Sequence, residues 1–222
     1  MTGASDRYRE FAALIRAWCA DAGVFVRDLF GVEPTPQQAA ILRAVDSRGR
    51  VAVKSGHGVG KTAVEAWLTL RQVLCWPDSR CPCTAPAGPQ LEAVLWPEIA
   101  KWRGRMPPVW RDLVELSDRV VRHAQAPDAQ FAVARTARRD QPEALQGFHA
   151  AGAALLWICE EASGIDETLW PVIVGSLSSP ANRILLATNP TRSTGFVFDA
   201  FGRNRDQWEC LTLSSEDSPL GG

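Results

Sequence analysis

Val51-Ala-Val-Lys-Ser-Gly-His-Gly-Val-Gly-Lys-Thr-Ala63 is the stretch from which the rest of the chain is read. It begins as a strand, turns through a glycine-dense loop, and opens an apolar helix at Lys61-Thr62. Strand, loop and helix in that order are the layout of a phosphate-binding P-loop. Glycines let the backbone N–H groups converge on the β- and γ-phosphates of a nucleotide. The lysine reaches the same phosphates and the threonine hydroxyl ligates Mg2+. The candidate nucleotide-binding residues are therefore Ser55, Gly56, His57, Gly58, Val59, Gly60, Lys61 and Thr62. Ser55 stands where the usual pattern has a glycine, and Gly56 beside it leaves the loop able to close.

The totals bound what surrounds this loop. A chain of 222 residues corresponds to one large domain or a domain and a half, since domains hold about 100–150 residues. A core of that size needs no disulfide or metal staple. The formal net charge of −1 offers no general attraction to nucleic acid or membranes, so any DNA contact must come from a local patch. Six cysteines lie scattered through apolar segments without a zinc-ligand spacing, and reduced core cysteines are expected. The N-terminus carries Asp6, Arg7, Arg9 and Glu10, and no signal peptide is expected. No apolar run reaches the roughly 18–20 residues of a membrane span. A soluble intracellular protein with no membrane partner is the expectation.

Periodicity places the other elements. Phe11, Leu14, Ile15, Trp18, Val24, Val26 and Leu29 predict a helix, or two broken near Gly23. Thr35 caps a further helix with Pro36 in its first turn. Gln38 follows, and its amide both donates and accepts, as an adenine edge requires; a plain surface glutamine is the other reading. After the helix from Thr62 to Cys75 come a strand over Arg80–Ala85, a helix over Pro89–Met106 stopped by Pro107-Pro108, and paired strands over Val120–His123 and Phe131–Ala134. Arg135, Arg138 and Arg139 form a basic stretch, read as a solvated face, a phosphate contact, or an arginine donated to a neighbouring subunit's ATP. The apolar run Ala153–Ile158 predicts a strand buried on both faces of a parallel sheet. It ends in Cys159-Glu160-Glu161, and acidic residues at such a strand tip face the binding crevice, where a Mg2+-organising and a water-activating carboxylate belong. Arg183–Thr188, ending in Asn189-Pro190, and Trp208–Leu213 predict the last strands. Strands alternating with helices give an α/β fold with a central, mostly parallel sheet.

Four stretches in order resemble the large terminase subunit of tailed bacteriophages, the ATP-driven DNA-packaging motor. They are Glu33-Pro-Thr-Pro-Gln-Gln, Ser55-Gly-His-Gly-Val-Gly-Lys-Thr, Gly147-Phe-His-Ala leading to Ile158-Cys-Glu-Glu-Ala-Ser-Gly, and Ala187-Thr-Asn-Pro-Thr-Arg-Ser-Thr-Gly-Phe. The resemblance implies a P-loop NTPase fold of the ASCE, RecA-like kind, with ATP and Mg2+ as ligands. It implies that Lys61 and Thr62 keep their P-loop duties and that Gln38 is the adenine-side glutamine. Glu160 stands where the family has the Walker B aspartate, one methylene longer. Glu161 matches the catalytic carboxylate, and Asn189 matches the coupling motif, an amide that senses the γ-phosphate. His57 falls where some relatives have a loop arginine. Positive charge on the transition state is worth about 10³–10⁵ in rate in comparable NTPases, so the arginine must come from elsewhere, with Arg103, Arg135, Arg138, Arg139 and Arg192 as candidates.

The resemblance further implies double-stranded DNA, the procapsid portal and the small terminase subunit as partners. A ring of about five copies in the host cytoplasm, not packaged in the mature virion, is implied as well. Residues 1–46 are expected to form a helical segment packed on a P-loop core of residues 47–222. The family's C-terminal nuclease domain is expected to be missing from an excised ATPase domain, so nuclease activity is not expected. The alternatives are a helicase-like ATPase, for which a second RecA-like domain would be needed, and a nucleotide-binding switch with little hydrolysis.

Overall fold

The computed structural model of the chain describes residues 2–148, 154–189 and 192–220. His149 and Ala150 of the third quoted stretch, Ala153 of the expected strand, Pro190 and Thr191 lie outside the described residues, as do Gly221 and Gly222 at the end of the core assigned to residues 47–222.

Three helices precede the sheet: α1 (Thr2–Ala20), α2 (Ala22–Phe30) and α3 (Pro36–Ser47). The break between the first two falls at Asp21 and not at Gly23, which lies inside α2. Asp21 carries the better stop signal, because its carboxylate accepts from Val24 N at 3.0 Å and caps the new helix. Thr35 and Gln38 form a reciprocal capping box at the start of α3, with Thr35 Oγ1 accepting from Gln38 N and Gln38 Oε1 accepting from Thr35 N. Thr35→Ala is expected to cost about 1 kcal/mol of stability, read as a lower urea midpoint at unchanged m-value.

The sheet is built from β1 (Arg50–Ser55), β2 (Arg80–Ala85), β3 (Val114–Leu116), β4 (Val120–His123), β5 (Phe131–Thr136), β6 (Leu156–Cys159), β7 (Arg183–Thr188) and β8 (Glu209–Leu213). Their spatial order is β3-β4-β5-β2-β6-β7-β1-β8. The pairs from β5 to β8 across this order are parallel, and β3, β4 and β5 pair antiparallel at one edge. The strand β3 is absent from the periodicity reading, since three residues carry too little pattern. The P-loop strand β1 is separated from β6 by β7. The tips of β6 and β7 therefore both stand beside the loop that leaves β1.

Side chains alternate across the sheet, as strand geometry requires. Val51, Val53, Leu156 and Ile158 join the core beneath α1–α4, while Ala52, Trp157, Cys159 and Ile184 join the core on the other face. α4 (Lys61–Cys75) lies on the first face and is buried from Val64 to Cys75. The second face is covered by short elements, among them α8 (Trp170–Gly175) and α9 (Phe196–Phe201). The helix expected over Pro89–Met106 forms as α5 (Gly88–Gln90), a π-helical turn over Leu91–Leu95 and α6 (Trp96–Arg105), followed by the single turn α7 (Pro108–Arg111). The π turn brings half-exposed Val94 to the crevice described next. No described helix is long and apolar enough to cross a membrane.

Candidate active site

The loop after β1, the first residues of α4 and the tips of β6 and β7 enclose a cavity of about 360 Å³. His57, Gly58, Val59, Gly60, Lys61, Thr62, Glu160, Glu161 and Asn189 all line it. The loop needs left-handed backbone at Gly58 (φ 80°) and Gly60 (φ 77°), which glycine adopts without strain. At Gly60 a Cβ would also stand 2.4 Å from Gln38 Nε2, so the glutamine amide would have to move aside. Ser55 is tolerated because it is the last residue of β1, pairs in register with Leu213, and has no positive φ.

Lys61 is the centre of the polar contacts. Its ammonium donates to Ser55 Oγ at 2.5 Å, to Gly56 O at 3.1 Å and to Asn189 Oδ1 at 3.2 Å. Asn189 Nδ2 lies 3.4 Å from His57 Nε2, so one amide bridges the two sides of the P-loop. Burial pulls the Lys61 pKa below the ordinary lysine range, opposed by the nearby Glu160, Glu65 and Glu161. The N-terminus of the 15-residue α4 adds its free N–H groups to this positive wall.

Opposite stand the two glutamates. Glu160 N donates to Thr84 O at 2.8 Å, which continues the β2 pairing past the end of β6. Glu161 has φ 46°, one of two positive values on non-glycine residues among the described ones. That conformation costs about 1–3 kcal/mol and turns the exposed side chain back over the cavity mouth. It is held by Gly164 N donating to Glu161 O at 2.8 Å and by the Thr188–Ser163 hydroxyl bond at 2.7 Å, which ties the β6 and β7 tips together. Mg2+, implied by the P-loop pattern, fits the donors present. The Thr62 hydroxyl and the Glu160 carboxyl line one cavity, and both are the oxygen ligands a hard cation takes.

Gln38 lies outside this cavity, buried at the edge of a second one of about 400 Å³ that shares Gly60 and Thr62 with the first and is walled by Trp67, Trp102 and Leu220. Its amide donates to Gly60 O at 3.4 Å while its oxygen serves the capping box. One N–H and one lone pair remain. Among the candidate arginines, Arg103 is committed to the Val114 and Arg111 carbonyls and Arg138 to an exposed pair with Asp140. Arg135 and Arg139 are exposed at and beyond the end of β5, and Arg192 lines a 480 Å³ cavity that shares Thr188 and Asn189 with the first.

Sequence reading missed Glu65. It is fully buried on α4, one turn after Lys61, and both of its carboxyl oxygens are enclosed without a hydrogen-bond partner. Burial, then the neighbouring Glu160, push its pKa well above the ordinary range. The available signal was a lone acid, flanked by Val64, Ala66 and Trp67, in a helix otherwise read as buried.

A curated relative, the "Probable terminase, large subunit" of Enterobacteria phage P7, is 32% identical over 227 residues, covering 96% of this chain. The chain belongs to the phage large-terminase family. It spans 44% of that relative's length. No family model matches the chain. The ATPase domain of the Thermus phage P74-26 large terminase superposes with a TM-score of 0.65 at 20% identity, covering 86% of this chain and 85% of that one. The HK97 bacteriophage large terminase gives 0.66 at 14% identity, covering 92% and 46%. The large terminase of the thermophilic bacteriophage D6E in complex with ADP gives 0.60 at 12%, covering 81% and 44%. These likenesses establish the fold, a P-loop ASCE sheet flanked by helices.

Proposed function

We propose that the chain is the ATPase part of a DNA-packaging motor that hydrolyses Mg-ATP and couples hydrolysis to translocation of double-stranded DNA into a procapsid. One observation carries the reading: Lys61 and Thr62 of the P-loop share a single cavity with Glu160, Glu161 and Asn189 from two other strands, and Asn189 contacts Lys61 directly. Phosphates are held by the loop N–H groups and Lys61. Thr62 and Glu160 would hold Mg2+, which when bound neutralises phosphate charge. Glu161 orients the attacking water and takes its proton. Asn189, touching both Lys61 and His57, is placed to register the γ-phosphate and pass its loss to the β7 end. The adenine fits the second cavity, where Gln38 offers its remaining donor and acceptor. The ADP complex of the D6E protein, which shares the fold, supports a nucleotide as ligand.

The relevant partners are the portal, a small terminase subunit and further copies of the chain in a ring. His57 is a weak substitute for a fixed positive charge. Arg135 and Arg139, exposed, are available to a neighbouring copy. ATP turnover per subunit is therefore expected to rise steeply with protein concentration or on ring assembly. Fast turnover independent of concentration would exclude an arginine supplied by a neighbour. Duplex DNA is expected to stimulate turnover, and a malachite-green phosphate assay with and without DNA tests both statements.

A further inference from the structure

Residues 214–220, which follow β8, have no part in the mechanism above, yet they run along the P-loop in the loop's own order. A Cβ at Gly56 would meet the Ser215 hydroxyl. The Ser218 hydroxyl donates to Gly58 O at 2.9 Å. A Cβ at Gly60 would stand 2.9 Å from Leu220 Cδ1. Ser215 and Ser218 approach from the side away from the phosphate cavity, which neither of them lines. The segment is fixed at its start, where Gln37 Nε2 of α3 donates to Ser214 O at 2.6 Å, and again by Ser218 N donating to Ser215 O at 3.2 Å. Gln37 thus holds this segment while its neighbour Gln38 holds the end of the loop at Gly60 O.

Ser218 joins the two sides. It is buried, and its Oγ donates to Gly58 O while accepting from Leu220 N at 3.2 Å. The Gly58 carbonyl and the Val59 N–H belong to one planar trans peptide and point in opposite directions. A hydroxyl that holds the carbonyl therefore fixes the direction of the Val59 N–H, and Val59 lines the phosphate cavity. The bond from Leu220 N places the next contact. Leu220 is 54% exposed and lines the 400 Å³ cavity together with Gln38, Trp67 and Trp102. An apolar side chain left half in water on the wall of a cavity gains burial when a flat ring enters beside it.

We propose that residues 214–220 form a further wall of the nucleotide site, in which Ser218 is a positioning residue for the P-loop and Leu220 is a binding residue that covers the base. The inference rests on the Mg-ATP reading, with the base in the second cavity, and deepens it. Gln38 offers the edge of the base its polar contacts, and Leu220 offers the face of the base an apolar one. Through the Ser218 hydroxyl, the phosphate half and the base half of the site are held by a single side chain.

The test is calorimetric titration of the wild-type chain, Leu220→Ala, Leu220→Met and Ser218→Ala with ATP and with tripolyphosphate, each in the presence of Mg2+. Tripolyphosphate carries the phosphates without the base, so it reads the P-loop alone. Leu220→Ala is expected to weaken ATP binding about 3–10-fold and to leave tripolyphosphate within about twofold of wild type. Leu220→Met keeps an apolar side chain and should retain the ATP affinity. Ser218→Ala is expected to weaken both ligands, each by about 3–10-fold. Unchanged ATP affinity in Leu220→Ala, or an equal loss of tripolyphosphate there, would overturn the role of Leu220. Unchanged tripolyphosphate affinity in Ser218→Ala would overturn the role of Ser218. If the wild type binds neither ligand, the ATPase reading falls together with the proposal. Tight wild-type binding of ATP that ignores both residues removes this inference alone.

Discussion

Glu161→Gln is expected to lower ATP turnover by about 10²–10⁴-fold while leaving nucleotide bound. The amide has nearly the shape of the carboxylate but cannot take a proton from water. Glu161 is exposed at the mouth of the cavity, so the replacement buries nothing new and leaves the fold intact. Its strained φ of 46° is set by the backbone and tolerates glutamine as well as glutamate. Lys61→Ala should behave differently. It removes the ammonium that contacts Ser55, Gly56 and Asn189, so both turnover and nucleotide binding should fall. Steady-state phosphate release beside equilibrium binding separates the two variants. Unchanged hydrolysis in Glu161→Gln would remove Glu161 from the mechanism, whatever the nucleotide affinity.

The second large effect is on stability, at Arg71. This residue is 3% exposed, within the buried body of α4. Its guanidinium pairs with Asp46 on α3 at 2.6 Å and donates to the carbonyls of Trp18 and Cys19 at 2.7 and 2.9 Å. Those carbonyls lie in the last turn of α1, which has no intrahelical partners for them, so Arg71 caps one helix while ion-pairing with another. Asp46 in turn accepts from Ala22 N at the start of α2 at 2.8 Å. A single side chain therefore joins the first three helices to the helix of the P-loop. Arg71→Leu leaves Asp46 partly buried without its partner and is expected to cost about 3–5 kcal/mol. For a chain of this size about 1 kcal/mol shifts the melting temperature by roughly 2–4 °C, so a fall of roughly 6–20 °C is expected by calorimetry. Arg71→Lys keeps the charge but loses the planar fork, and should recover only part of the loss. A fall below about 2 °C would mean that apolar packing alone holds these helices.

Local patterns made much of this legible. The P-loop is a contiguous motif whose backbone geometry is dictated by its own glycines, so its strand, loop and helix appear where the residues place them. The runs Arg80–Ala85 and Arg183–Thr188 form strands with those bounds, each buried along its length after its first residue, as expected for interior strands of a mostly parallel sheet. The break between α1 and α2 was harder to place. Glycine and a capping aspartate two residues apart compete as stop signals, and the side-chain hydrogen bond of Asp21 prevailed. Short elements such as β3 and α7 escaped because they exist only through the neighbours they pack against.

The sequence by itself determined that a phosphate-binding loop opens the long helix, that acids and an amide end two buried strands, and that the sheet is mostly parallel. Each follows from residues adjacent in the chain. Only the tertiary structure decided that these tips meet. The insertion of β7 between β1 and β6 brings Asn189 to 3.2 Å from Lys61 and sets Glu160 and Glu161 on the same cavity. Only it revealed that Glu65, one turn into the P-loop helix, is fully buried with neither carboxyl oxygen hydrogen-bonded. Strand order and burial are decided by packing between distant segments, and no local pattern records them.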